Sequence, residues 1–123
     1  MNSYVMIRSG FGAGEIDQQF RKCAQRYNDT GIPYGVYWHS YAYTPEMAEK
    51  EAKYCLETIE EFEITYPVCY LLEEDTFRYA KSKGVEITSE LAQKMTEVFC
   101  REIAGAGYFA MYYSGTARRL FLQ

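Results

Sequence analysis

Apolar positions along this chain follow two rhythms that take turns. Short, nearly unbroken apolar runs alternate with stretches in which apolar side chains recur every three or four residues. The runs read as buried strands and the stretches as amphipathic helices. Tyr4 to Arg8 is the first strand, and Gly10, Gly12 and Gly14 follow it as a flexible loop. Ile16, Phe20, Cys23, Ala24 and Tyr27 then predict a helix from about Ile16 to Asn28. Gly31 is a natural helix stop, and Pro33 opens a second strand, Tyr34 to Tyr41. Thr44 before Pro45 has the form of an N-cap followed by a first-turn proline, and Ala48, Ala52, Cys55, Leu56 and Ile59 line the buried side of the second helix. Tyr66 to Leu72 is a third strand. Beyond it, Glu74 to Thr88 is expected to be a loop with a helical turn around Phe77 to Lys81. Leu91, Met95, Val98, Phe99 and Ile103 mark another helix that ends near Gly105 and Gly107; Tyr108 to Ser114 is a fourth strand, and Ala117 to Leu122 reads as a truncated helix.

Strict alternation of strand and helix predicts an α/β fold with a parallel sheet and right-handed crossovers. Four such strands without a closing partner leave two long edges. Open edges invite pairing with another chain, so a homodimer through exposed strand edges, or a place in a larger barrel, is expected in preference to a monomer. At 123 residues, with no linker or low-complexity stretch, the chain reads as a single domain, 1–123.

Composition removes several function classes. Hydrophobic residues at 48% exclude a disordered chain, and a net charge of −4 with mixed signs argues against nucleic acid as a partner. No apolar run approaches the ~20 residues that span a bilayer, and Met1 to Arg8 is too short and polar-flanked for a signal peptide, so neither membrane nor export address is expected. Cys23, Cys55, Cys69 and Cys100 are widely spaced without a Cys-x-x-Cys pair, which points to free, buried thiols rather than a metal or redox site. No cofactor is implied. Gly10, Gly12 and Gly14 have part of a dinucleotide-loop spacing, but Glu15 stands where the third fingerprint glycine belongs. His39 is the only histidine, and neither Ser9 nor Ser40 lies in a nucleophile elbow.

The chemistry concentrates at the end of the third strand, where Glu73, Glu74 and Asp75 follow an apolar run. Side chains two apart on a strand share a face at roughly 6 to 7 Å. Glycosidases need two carboxyl groups about 5 to 9.5 Å apart, so acids at 71 and 73 would form such a pair. Position 71 is leucine. Glu73 therefore lacks a same-face partner, and the competing reading makes the three acids a solvated strand-to-loop junction. Aromatic residues reach 17%, with 13 tyrosines, and many fall on strands or strand ends where sugar rings can stack; their plainer use is in the core and rim.

Five segments together carry a family resemblance: Tyr4 to Gly12, Gly31 to Ala42, the pair Glu51 and Ala52, Pro67 to Glu74, and Gly107 to Ser114. In this order, over nearly the whole chain, they resemble glycoside hydrolase family 25, the bacterial and phage muramidase type of lysozyme. The resemblance implies a parallel (β/α) barrel of TIM-like type, here a partial barrel of about four βα units. It also implies hydrolysis of the β-1,4 bond between N-acetylmuramic acid and N-acetylglucosamine in peptidoglycan. Family members are often extracellular or phage-encoded. The family's fourth-strand Asp-x-Glu appears as Leu71, Leu72 and Glu73, keeping the general-acid glutamate and losing its aspartate neighbour. The strand bearing the family's first site aspartate and the closing strands with another have no counterpart here. Carried onto this chain, the catalytic residue is Glu73. The substrate-binding candidates are Tyr37, His39 and Tyr113, with Trp38 and Tyr41 as further stacking platforms. The expected activity is weak or absent, unless a second copy completes the site. A non-catalytic peptidoglycan-binding module and a truncated structural remnant are the alternatives.

Overall fold

The computed structural model describes residues 5–114 and 119–122. Its strands are β1 (Val5–Phe11), β2 (Glu15–Ile16), β3 (Tyr34–His39), β4 (Val68–Leu72), β5 (Ala110–Ser114) and β6 (Arg119–Leu122). Its helices are α1 (Phe20–Thr30), α2 (Pro45–Ile59), α3 (Glu74–Ser82) and α4 (Ser89–Gly105). The strands form one open sheet in the order β2-β1-β3-β4-β5-β6. β1, β3, β4 and β5 are parallel neighbours, while β2 and β6 pair antiparallel at the edges. The mixed α/β architecture and the parallel centre agree with the alternating pattern. Among the described residues the sheet does not close into a barrel.

Because each parallel strand is added on the same side of the last, right-handed crossovers stack the helices on one face. The alternate strand residues Val36, Trp38, Val68, Tyr70, Leu72 and Ala110 point to that face and are buried. They pack against Phe20 and Ala24 of α1, Ala48, Ala52, Cys55 and Ile59 of α2, Phe77 of α3, and Met95, Phe99, Cys100 and Ile103 of α4. Tyr70 and Phe99 stack with ring centroids 3.9 Å apart. Residues of the other parity, among them Met6, Tyr37, Leu71 and Tyr113, lie on the face that the helices leave uncovered.

Local signals account for most element ends. Thr44 caps α2, its Oγ1 accepting from the Met47 N–H at 3.1 Å with Pro45 in the first turn. Gly31 ends α1 at φ 71°, a left-handed conformation that glycine adopts without strain.

Four expectations need correction. The helix expected from Ile16 starts at Phe20, because Glu15 and Ile16 pair with Phe11 and Gly10 as β2; Ile16 is 40% exposed instead of lining the core. The glycine loop is thus a hairpin turn, and it leads into a strand, not the helix N-terminus a dinucleotide site requires. Gly10 is needed there, since a Cβ would come within 2.5 Å of both the Glu15 carbonyl and the Trp38 ring. The loop expected over Glu74 to Thr88 contains a full helix, α3, whose first turn holds Glu74 and Asp75 and whose last turn holds Lys81, charges placed to suit its dipole. The truncated helix expected over Ala117 to Leu122 is, in its described part, strand β6. Pairing Arg119 to Leu122 along Ser114 to Met111 satisfies the open edge of β5, whereas four residues close too few helical hydrogen bonds to compete. Residues 117 and 118 lie outside the described residues, as does Tyr4 of the first expected strand.

Candidate functional site

The parallel strands end together, and their registers lay the uncovered face out in rows. Arg8, Tyr37, Cys69 and Met111 are aligned across β1, β3, β4 and β5. The next row toward the C-terminal ends is Phe11, His39, Leu71 and Tyr113. A bulge in β1 between Arg8 and Gly10 shifts the register by one residue and brings Phe11 to the same face as Arg8. The Arg8 guanidinium lies over the Phe11 ring, 5.1 Å from its centroid.

Glu73 follows the last residue of β4 with φ −120° and ψ −176°, so the extended backbone carries the strand's parity one step further. The Glu73 side chain shares a groove of about 290 Å³ with Met6, Tyr37, Cys69, Leu71, Met111 and Tyr113. The structure thus gathers three of the sequence-predicted site residues, Glu73, Tyr37 and Tyr113, into one cavity. Leu71 occupies the same-face position beside Glu73, as the spacing requires. Glu74 and Asp75 do not supply a second acid to the groove; both point to α3's first turn, where they pair with Arg78 at 3.5 and 3.2 Å.

His39 and Tyr41 form an aromatic rim beside the groove. Their rings stack at 5.0 Å, and Tyr41 meets Phe11 and Tyr79 edge-on at 6.1 and 5.6 Å. His39 is only 8% exposed, and its buried Nε2 has no hydrogen-bond partner among the described residues. Burial holds the imidazole below its ordinary pKa, opposed by the nearby negative charges of Glu73 and Asp75 and assisted by Arg8. It is therefore a neutral ring near pH 7.

Trp38 belongs to the opposite face. It is fully buried, and its indole N–H donates to the Gly12 carbonyl at 3.1 Å. As a stacking platform for sugar Trp38 is ruled out, because strand alternation turns it away from Tyr37 and His39.

Behind the groove lies a buried polar network around Glu51, a residue that the family resemblance includes without a role. Glu51 of α2 is 2% exposed. Its Oε1 accepts from Ser40 Oγ at 2.9 Å and from the Tyr70 hydroxyl at 2.5 Å, and its Oε2 accepts from the Tyr41 N–H at 2.8 Å. Ser40 Oγ also accepts from the Ala42 N–H at 3.1 Å. Burial pushes the Glu51 carboxyl up to about 7, against the downward pull of these three donors. The Tyr70 hydroxyl is itself pushed well above its ordinary value by burial and then by Glu51. Glu51 stands in phase with Ala48, Ala52 and Cys55 on the apolar stripe of α2, and that phase was the signal available in the sequence.

Cys55, Cys69 and Cys100 are buried free thiols, each pushed up to about 12 by burial, and Cys23 is half-buried. Among the described residues no group of three His, Cys, Asp or Glu side chains is placed to hold a metal ion. No described helix is long and apolar enough to cross a membrane.

No protein-family profile matches the sequence, and no curated protein sequence matches it. Solved structures do. The modular autolysin LytC from Streptococcus pneumoniae, in complex with a synthetic peptidoglycan ligand, matches 89% of this chain with a TM-score of 0.78 and 29% identity. The catalytic domain of endolysin ply40 from bacteriophage P40 of Listeria monocytogenes matches 93% with a TM-score of 0.73 and 18% identity. The CTP1L endolysin matches 89% with a TM-score of 0.62 and 12% identity. The chain spans 26% of the LytC chain, 53% of the ply40 catalytic domain and 35% of the CTP1L chain. The fold built from these residues is one shared with cell-wall autolysins and endolysins.

Proposed function

We propose that this chain carries the glutamate-bearing part of a glycoside hydrolase family 25 muramidase site. Its substrate in this reading is peptidoglycan, cut at the β-1,4 bond between N-acetylmuramic acid and N-acetylglucosamine. The observation that carries the reading is the groove in which Glu73 stands between Tyr37 and Tyr113, in a chain 29% identical to an autolysin solved with a synthetic peptidoglycan ligand. Glu73 acts as the general acid, delivering a proton to the glycosidic oxygen as the bond to the anomeric carbon breaks. Tyr37 and Tyr113 flank the sugar, and His39 and Tyr41 extend the surface along the rim.

Proton delivery alone contributes roughly 10² to 10⁴-fold. The oxocarbenium-like charge that develops on the sugar calls for a second carboxylate, and Leu71 offers only a hydrocarbon. Activity of the chain by itself is therefore weak or absent. A second copy is the proposed partner: among the described residues β1 has an antiparallel neighbour only along Gly10 and Phe11, and the Ser9 carbonyl accepts from the Asp17 N–H, so Val5 to Arg8 offer an open edge for pairing. Sedimentation velocity tests this, with a concentration-dependent dimer expected.

The test of the function is release of reducing ends from purified peptidoglycan by the chain and by Glu73→Gln. Slow release that Glu73→Gln abolishes supports the muramidase reading; equal release by both refutes it. One observation favours a second reading, a glycan-binding module without cleavage: Glu73 is the one carboxylate among the residues lining the groove. Retention on peptidoglycan with no reducing ends released selects that reading.

A further inference from the structure

A chain of hydrogen bonds runs from the helix-side network to the backbone of Glu73. Glu51 fixes Ser40 through its hydroxyl and the neighbouring Tyr41 through its N–H. The Ser40 N–H donates to the Leu71 carbonyl at 2.9 Å, tying the end of β3 to that of β4. The Ser40 carbonyl in turn accepts from Thr76 Oγ1 at 2.7 Å, and Thr76 Oγ1 accepts from the Glu73 N–H at 3.1 Å. Thr76 is fully buried. Four elements, α2, β3, β4 and α3, therefore meet through Glu51, Ser40 and Thr76, and the Glu73 junction is held by that meeting.

We infer that Glu51 is a positioning residue for Glu73. It clamps the ends of β3 and β4 through Ser40, Tyr41 and Tyr70, and through the Ser40 carbonyl and Thr76 it sets the backbone from which Glu73 enters the groove. This rests on the reading of Glu73 as the general acid, but the geometry is testable without catalysis. A buried carboxylate with three donors is costly to keep, and a core position in α2 would be more simply filled by an apolar residue. The network earns its place by making the Glu73 junction respond to the Glu51 carboxyl.

The groups facing Glu51 leave it as the titrating member near neutrality. Tyr70 faces it from β4, and Cys55 lies near it on α2 itself; Cys100 of α4 faces Tyr70. Burial keeps the phenol and both thiols neutral there. Ser40, from the end of β3, does not ionise in this range. The Glu73 backbone should therefore sense a proton at Glu51.

The experiment follows the Glu73 amide by ¹⁵N NMR from pH 5 to 8 in the whole chain and in Glu51→Gln, Thr76→Val and Thr76→Ser. The Glu73 amide is expected to shift with a midpoint near pH 7 in the unmodified chain, to lose that inflection in Glu51→Gln and Thr76→Val, and to regain it in Thr76→Ser. His39 titrates at lower pH, and any response to it persists in Glu51→Gln. Where the chain releases reducing ends, Thr76→Val should lower the rate roughly 10²-fold with retention on peptidoglycan unchanged, and Thr76→Ser should restore it. Absence of the inflection in the unmodified chain, or its persistence in Glu51→Gln, overturns the inference; should Glu51→Gln fail to fold, persistence in Thr76→Val overturns it instead. A chain that releases nothing yet shows the inflection leaves the positioning role standing, with the glycan-binding reading in place of cleavage.

Discussion

Replacing Glu51 by glutamine removes a buried acid while keeping its shape, and the structure fixes the sign of the outcome. The folded carboxyl is raised from an ordinary 4.5 to about 7, so between these values the folded chain holds a proton that the unfolded chain has released. The stability contributed by this group is fully present below pH 4.5 and is lost as pH rises through 7. A rise of that size corresponds to roughly 3 kcal/mol across the window. Glutamine cannot ionise, so its variant should lack this component. Its carboxamide oxygen can take the Tyr41 N–H while its NH₂ meets Ser40 Oγ and the Tyr70 hydroxyl, both of which can accept. Urea denaturation at pH 5, 6, 7 and 8 gives the difference directly. The unmodified chain should lose roughly 2 to 3 kcal/mol relative to Glu51→Gln between pH 5 and 8. Parallel stability curves would refute the reasoning, because they would mean that three hydrogen bonds fully offset the burial of the charge.

Leu71→Asp places a carboxylate on the same face as Glu73, roughly 6 to 7 Å away, and should raise the release of reducing ends above that of the parent chain; an unchanged rate would show that the missing acid is not what limits turnover. Trp38→Ala should cost about 3 to 5 kcal/mol in urea denaturation, whereas Tyr113→Ala should weaken retention on peptidoglycan with a far smaller loss of stability. Thiol labelling of the folded chain should modify Cys23 rapidly and the other three cysteines only on unfolding, since burial suppresses their thiolates.

The strands and longer helices were legible because their periodicity is set by burial on one face. Met95, Phe99 and Ile103 of α4 lie in the core, as the apolar spacing indicated. Periodicity misled at Ile16, whose phase continues the α1 stripe although pairing with β1 takes it into a strand. α3 is legible in the sequence only as a turn around Phe77 to Lys81 because it is short and polar; its first turn is organised by Thr76, whose hydroxyl answers to Ser40, 36 residues away. For the candidate site, the placement of Glu73 beside Leu71 followed from a two-residue repeat. The same repeat, applied to β3, would have sent Trp38 to the side opposite Tyr37 and His39. Glu51 counts in the sequence only as part of the family resemblance, because a charge in an apolar stripe is legible as buried only once its donors, on other elements, are known.

The sheet is a partition one residue thick, and successive positions along a strand answer to different demands. Changes at Val36, Trp38, Val68 or Tyr70 are felt by the helical core. Those at Tyr37, Leu71 or Tyr113 are felt by the groove. Such interleaving lets the groove surface diversify while the fold's foundations stay fixed, even though the two sets are immediate neighbours in the chain. Ser40, Glu51 and Thr76 are where this independence ends, and substitutions there should be the ones that a changing groove tolerates least.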